Sequence, residues 1–363
     1  MSALSAAFGP TAPGAAAPGT AMSGTGTSGI DPSGPLVEVD DLRITFVSRE
    51  AEVSVLNGVS FSLARGETLC LLGESGSGKS VTLRALMRLL PSSTRISGTL
   101  RIGGRDVAAM TPKDLRRLRG GEVAMIFQEP MTALDPVFTI GRQIAEMIVA
   151  HRGVSWRAAE ARALELLELV QVPNAKARLS AYPHQLSGGL RQRAMIALAL
   201  SCDPKLLLAD EPTTALDATV QIQVLLLLRS LQEELGMTTI FVTHDLGVAC
   251  EIADRVGVMY AGQLVETAPV RDIMRDPRHP YAKGLLRSTV HGAMRGRTLD
   301  AIPGAPPDLA ALPPGCAFAP RCGHARALCL DAPPALIALG PERLVRCVRE
   351  TDTARHAASE PLE

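Results

Sequence analysis

The run Gly73-Glu74-Ser75-Gly76-Ser77-Gly78-Lys79-Ser80 matches the pattern G-x-x-x-x-G-K-S/T at every fixed position, and its residue types specify phosphate chemistry. The glycines let the backbone turn tightly with its N–H groups aimed inward, so that the β- and γ-phosphates of a nucleotide lie among donors. Lys79 adds a point charge. Ser80 offers a hydroxyl to Mg²⁺, which takes few protein ligands because it holds on to its waters. Gly73, Ser75, Gly76, Gly78, Lys79, Ser80 and the adjoining Val81 are therefore the first cofactor-binding candidates. A chance glycine-rich turn would lack flanking elements. Here Glu67 to Leu72 reads as an apolar strand, and Val81 to Leu90 as a helix with Leu83, Leu86, Met87 and Leu90 on one face.

Four further stretches carry chemistry. Val123 to Phe127 is a continuous apolar run suited to a buried parallel strand, and it ends in Gln128, a neutral amide able to ligate Mg²⁺ or orient water. Ser187-Gly188-Gly189 precedes an apolar helix, either as a plain N-cap with glycines or as a second anion site. Lys205 to Ala209 closes with Asp210-Glu211, the acid pair of a Walker B strand: Asp210 for the Mg²⁺ shell, Glu211 to polarise the attacking water. Thr238 to Thr243 delivers His244 to a strand tip, where a γ-phosphate contact competes with a purely structural role. Phe46, upstream of the P-loop, is placed to stack on adenine or to fill a sheet core.

The elements that must hold these residues follow in order. Leu36 to Val47 and Val53 to Leu63 read as strands of an antiparallel layer. Thr139 to Val170 turns helical, with Ile140, Ile144, Met147 and Ile148, then Ala159, Ala163, Leu166, Leu167 and Val170, at helical spacing. Ala218 to Leu235 is another helix, and Arg255 to Tyr260 and Gln263 to Glu266 are two short strands. From Asp276 the chain is too rich in proline for regular structure to be expected. Residues 1–35 are Ala, Gly, Pro, Ser and Thr with almost no charge, a composition that cannot offset chain entropy and predicts a disordered tail.

With 363 residues, 46% of them hydrophobic, the chain has material for one full α/β domain and a smaller appendage. Formal net charge is zero, which argues against the basic footprint of a nucleic-acid partner. No run reaches the roughly 18 apolar residues of a membrane span, and the tail lacks a secretory pattern, so a cytosolic protein is expected.

Of seven cysteines, Cys70, Cys202 and Cys250 lie in apolar runs and read as small buried residues. Cys316, Cys322, Cys329 and Cys347 are clustered where apolar periodicity is weak, and so small a segment needs a staple. A reducing compartment argues against disulfides. Their spacing departs from the paired cysteines of zinc sites, whereas a 4Fe-4S cluster accepts four thiolates at looser spacing. Zinc and a metal-free set stay open as alternatives. Arg321 and Arg346, each beside a candidate ligand, would offset a cluster's charge.

Taken together, the P-loop, Gln128, Leu186-Ser187-Gly188-Gly189-Leu190, Asp210-Glu211, Ala215-Leu216-Asp217 and His244 resemble the nucleotide-binding subunit of an ABC transporter across roughly residues 36–290. The segments around His279-Pro280-Tyr281 and Ile302-Pro303-Gly304-Ala305-Pro306-Pro307 resemble the C-terminal extension of importers for dipeptides, oligopeptides and nickel. The resemblance implies an α/β P-loop ATPase with an antiparallel β layer, a helical insertion at about 139–185, an extension over 291–350 and a tail over 351–363. It implies ATP and Mg²⁺ sandwiched between two such subunits, the P-loop of one facing Ser187-Gly188-Gly189 of the other. Glu211 would be the general base, His244 the γ-phosphate clamp, and Asp217 a link across the interface. Leu190 departs from the family's usual Gln, a place where phosphate contact falls mainly to Ser187 and the glycine N–H groups.

Two transmembrane permeases, an extracytoplasmic solute-binding protein and a second, non-identical ATPase are the implied partners, at the cytoplasmic face of the membrane. Some members also hold a 4Fe-4S cluster on four cysteines of the extension. A nickel, glutathione or other small-solute importer of the same subgroup is the alternative. A soluble ABC ATPase of DNA repair or translation is more remote, because those fuse two cassettes or carry zinc modules or a long coiled coil.

Overall fold

The computed structural model describes residues 34–49, 51–129, 133–214, 216–288 and 301–350. The tails predicted at either end, Ala215 and the first residues of the extension lie outside that set, Gly34 and Pro35 excepted.

β1 (Val37–Val47) and β2 (Glu52–Leu63) pair antiparallel. β3 (Thr68–Leu72) enters the P-loop and α1 (Lys79–Leu86) leaves it. β4 (Thr94–Ile102) and β5 (Arg105–Asp106) complete an antiparallel sheet in the order β2-β1-β4-β5. α2 (Pro112–Leu118) starts at Thr111, whose hydroxyl accepts the Asp114 N–H, and leads to β6 (Val123–Ile126).

The helical insertion follows as α3 (Ile140–Arg152), α4 (Trp156–Leu169) and the short α5 (Ala175–Arg178). Thr139 and Ser155 cap the two longer helices, and Gly153 ends α3 in the left-handed region. Ile140, Ile144, Ile148, Ala159, Ala163, Leu166, Leu167 and Val170 are buried, as their spacing predicts.

Strands and helices then alternate: α6 (Gly188–Leu200), β7 (Leu206–Asp210), α7 (Ala218–Leu235), β8 (Thr238–Thr243), α8 (Leu246–Ile252) and β9 (Arg255–Tyr260). After β10 (Gln263–Pro269) come α9 (Val270–Arg275), α10 (Pro280–Ser288), α11 (Leu328–Asp331), β11 (Ile337–Gly340) and β12 (Arg343–Val345).

The main sheet runs β11-β12-β10-β9-β3-β8-β7-β6, parallel from β9 to β6 and antiparallel beyond. Its central strands read as unbroken apolar runs because both faces are covered. Leu69 and Leu71 face one core, shared with α1 and the antiparallel layer; Cys70 and Leu72 face the other, shared with the insertion and α7.

Two expectations are corrected. Phe127 lies beyond the end of β6 and is exposed, so the buried strand stops one residue earlier than its hydropathy suggests. The proline-rich stretch from Asp276 is partly regular: Pro280 opens α10, at the first turn where a missing N–H costs nothing. The C-terminal segment also joins the main sheet, since Glu266 and Thr267 of β10 pair with Val345 and Leu344 of β12. Glu266 is fully buried there, paired with Arg343 at 3.0 Å and accepting the N–H groups of Arg278 and His279.

Candidate nucleotide site

The parallel strands end level with one another. Leu72 of β3 pairs beside Thr243 of β8, Asp210 of β7 beside Val242, and Ile126 of β6 beside Ala209. The residues that follow them therefore gather at one carboxyl edge, where open α/β sheets bind ligands.

The P-loop needs its glycines for two different reasons. A Cβ on Gly73 would come 2.3 Å from the Met259 carbonyl oxygen, and Gly78 combines φ +100° with Leu56 at 2.5 Å from any added Cβ. Lys79 is buried, its Nζ donating to the carbonyls of Gly73 (2.7 Å) and Glu74 (2.8 Å). Burial pulls its pKa below the ordinary lysine value, against the opposing charges of Glu211 and Asp210. An incoming polyphosphate gives that ammonium a better partner than two carbonyls.

Ser80 Oγ donates to Asp210 Oδ1 at 2.7 Å, so the hydroxyl and the carboxylate proposed for Mg²⁺ already touch. Burial raises the Asp210 carboxyl above its usual range, with the Ser80 hydrogen bond opposing. That donor pair suits a hard cation that takes oxygen ligands. Glu211, next along, stands at φ +45°, rare for a side-chain-bearing residue. Its N–H bonds the Val242 carbonyl at 3.0 Å, and its Oε2 meets Thr214 Oγ1 at 2.9 Å and His244 Nδ1 at 3.2 Å.

Gly73, Glu74, Ser75, Gln128, Glu211 and His244 line one cleft of about 580 Å³, a volume ordinary for a small-molecule site. The other wall comes from Leu285, Ser288, Ala301 and Ile302, which sequence reasoning did not foresee.

Other candidates are elsewhere. Phe46 sits near the end of β1, opposite Val53 and Thr94; it is half-buried and outside the apolar core. Val81 is half-buried against the core beside the antiparallel layer. Ser187 precedes α6 as its N-cap without making a side-chain capping bond, and Ser187 and Gly188 are exposed. Gly189 packs on α7, where a Cβ would meet Val220 at 2.7 Å. Asp217 caps α7, its carboxylate accepting the Val220 N–H at 3.0 Å. None of these residues lines the cleft.

Cys316, Cys322, Cys329 and Cys347 border one small cavity with His279, Phe318 and His324. Burial raises the Cys316, Cys322 and Cys347 thiols above the ordinary cysteine value, with the backbone at Phe318, His324 and Arg349 opposing. The donor chemistry and convergence suit a thiolate-bound group. As they stand, however, no three His, Cys, Asp or Glu among the described residues are arranged to hold a metal ion.

Arg321 is not the counter-charge expected for these cysteines. Its guanidinium turns to Glu74 of the P-loop, at 2.8 and 3.1 Å. Tyr281, missed as a site residue, takes the Glu74 N–H on its hydroxyl at 2.9 Å. Nothing in the sequence signals either contact, because the partners are more than 200 positions apart.

The ABC transporter family matches residues 56–214, and the oligopeptide/dipeptide transporter C-terminal region matches residues 265–329. Oligopeptide transport ATP-binding protein OppD of Salmonella typhimurium is 46% identical over 321 residues, covering 88% of this chain and 96% of that protein. This chain belongs to the ABC transporter ATP-binding subunits. OppD of Bacillus subtilis is 48% identical, with 86% of this chain and 88% of the relative covered. Among solved structures, an ATP-binding cassette in a dimeric post-hydrolysis state with ADP and Pi superimposes with a TM-score of 0.58 at 30% identity, over 65% of this chain and 99% of that one. The match to a whole cassette agrees with an α/β P-loop fold to which this chain adds a C-terminal segment. No helix among the described residues is long and apolar enough to cross a membrane.

Proposed function

We propose that this chain is the ATP-binding and hydrolysing subunit of an importer for oligopeptides or dipeptides, working at the cytoplasmic face of the membrane. The observation that carries the reading is one sheet edge: the phosphate nest, the Ser80–Asp210 pair and the Glu211–His244 pair all meet there, in a chain that also bears the oligopeptide-type C-terminal region.

Each residue then has a role. Backbone donors around Gly76 and Gly78, with Lys79, hold the β- and γ-phosphates. Ser80, Asp210 and Gln128 hold Mg²⁺, which neutralises charge on the phosphates. Glu211 takes the proton of the attacking water as general base, His244 contacts the γ-phosphate, and Phe46 stacks on adenine.

Ser187 and Gly188 are exposed, Gly189 is half-buried, and none of the three lines their own cleft, which supports a site completed by the signature of a second ATPase. Asp217 links the two sites. That second subunit is a different chain, and the pair engages two permeases through the helical insertion and Gln128, fed by an extracytoplasmic binding protein. Transport of nickel, glutathione or another small solute is disfavoured by the OppD relatives. The test is ATP turnover by the purified subunit against the complex with permeases and partner ATPase. The reading requires turnover only in the complex; full activity in a homodimer of this chain alone would refute the non-identical second ATPase.

For the C-terminal cysteines we infer a structural 4Fe-4S cluster on Cys316, Cys322, Cys329 and Cys347, supported by their shared cavity. A cluster bound there would staple a segment with little core. Anaerobic purification should yield brown protein with roughly four irons per chain. Colourless, iron-free protein, or a Cys322→Ser variant that keeps its iron, would remove the cluster.

A further inference from the structure

Glu74 is an unusual neighbour for a polyphosphate. It sits inside the P-loop and lines the cleft beside Glu211 and His244, where its negative charge opposes a ligand that carries several of its own. Its N–H and its carboxylate are held from the C-terminal half of the chain. Arg321 grips both carboxylate oxygens, Nη1 to Oε2 at 2.8 Å and Nη2 to Oε1 at 3.1 Å, in the fork geometry that makes arginine–carboxylate pairs strong. The Arg321 side chain is only 6% exposed and that of Glu74 27%, so solvent screens the pair little.

The guanidinium is itself held. Nε donates to the Pro303 carbonyl at 2.9 Å and Nη1 to the Tyr260 hydroxyl at 3.3 Å. The rings of Tyr260 and Phe318 lie within 6 Å of its central carbon, close enough for cation–π attraction. Tyr260, Tyr281 and Phe318 pack against one another, at 4.6 to 5.4 Å between centroids, and Tyr281 fixes the Glu74 backbone. Arg321 ends a tight turn, Ala319–Arg321, that follows Cys316 and runs into Cys322.

We propose that Arg321 is a positioning residue for ATP: it cancels the charge of Glu74 and holds it aside, so that the P-loop accepts the polyphosphate. The proposal rests on the ATP-site reading above. It makes the C-terminal segment a working part of the nucleotide site, beyond its place in the sheet.

The experiment is titration of ATP with Mg²⁺ into the full chain by calorimetry. Arg321→Met should weaken binding about tenfold or more. Adding Glu74→Gln to it should bring the affinity back to within about threefold of wild type, since no charge remains to cancel. A merely structural Arg321 would not be rescued this way, because its bonds to Pro303 and Tyr260 stay lost. Glu74→Gln alone, with the packing around Arg321 intact, should bind ATP at least as tightly as wild type, which keeps the test available if Arg321→Met does not fold. In the assembled complex Arg321→Met should raise KM for ATP and leave kcat within about twofold.

Unchanged affinity in Arg321→Met, an unrescued double variant, or a tenfold loss in Glu74→Gln alone would overturn the proposal. Lys79→Ala serves as the control. If it binds ATP normally the site itself is misplaced, whereas lost binding there with an indifferent Arg321 defeats only this inference.

Discussion

Oε2 of Glu211 lies 3.2 Å from Nδ1 of His244, and the Thr214 hydroxyl donates to the same oxygen at 2.9 Å. The two residues come from the ends of β7 and β8, neighbouring strands. Glu211 at φ +45° is turned into that contact by the backbone. A base held in this way is ready for a water at the γ-phosphate. Glu211→Gln should therefore bind ATP like wild type while turnover in the assembled complex falls by about 10² to 10⁴-fold. Near-normal turnover would take the base role from Glu211.

Lys79 makes the opposite prediction. Its ammonium is buried in the loop that the phosphates enter, so Lys79→Ala should lose binding itself. Calorimetry separates the two variants: a Lys79→Ala chain that still binds ATP tightly contradicts the phosphate role.

Asp210 trades stability for Mg²⁺. Burial holds its folded pKa above the ordinary aspartate value, so its stability contribution is present while the carboxyl is protonated and is lost as pH rises through the folded pKa. At pH 7 the ionised group is a liability in the nucleotide-free protein. Asp210→Asn keeps an acceptor for Ser80 and should raise the melting temperature at pH 7, a gain that shrinks on acidification toward the carboxylate range, while Mg²⁺-dependent turnover is lost. A lower melting temperature at pH 7 would contradict the assignment.

The two signature glycines differ in a testable way. A Cβ on Gly188 finds only Leu216 at 3.8 Å, ordinary contact, whereas one on Gly189 meets Val220 at 2.7 Å. Gly188→Ala should fold with a wild-type melting temperature and bind ATP at its own P-loop, yet impair hydrolysis in the complex. Gly189→Ala should also destabilise the subunit, by about 1 to 3 kcal/mol from overpacking. Equal melting temperatures for the two variants would rule out the packing distinction.

Much of this was legible beforehand for physical reasons. β8 and α7 run Thr238–Thr243 and Ala218–Leu235 as their patterns predict, and strands buried on both faces leave runs of unbroken hydropathy. The P-loop, Asp210-Glu211 and His244 were readable because each chemistry needs particular residue types at a strand end. The second wall of the cleft was not. Arg321 and Tyr281 reach Glu74 through tertiary packing alone, and a proline-rich stretch hides α10, since proline at a helix start looks like proline in a loop. The four cysteines are clustered in sequence, and the fold brings them to one cavity, while no three His, Cys, Asp or Glu among the described residues are arranged to hold a metal ion.

The central claim is that this chain powers peptide import, and uptake of a labelled oligopeptide by cells lacking it tests that directly. Uptake should fall to background, return with the wild-type chain and stay absent with Glu211→Gln. Undiminished uptake of peptides from two to five residues in the deletion strain, with every other peptide importer removed, would contradict it.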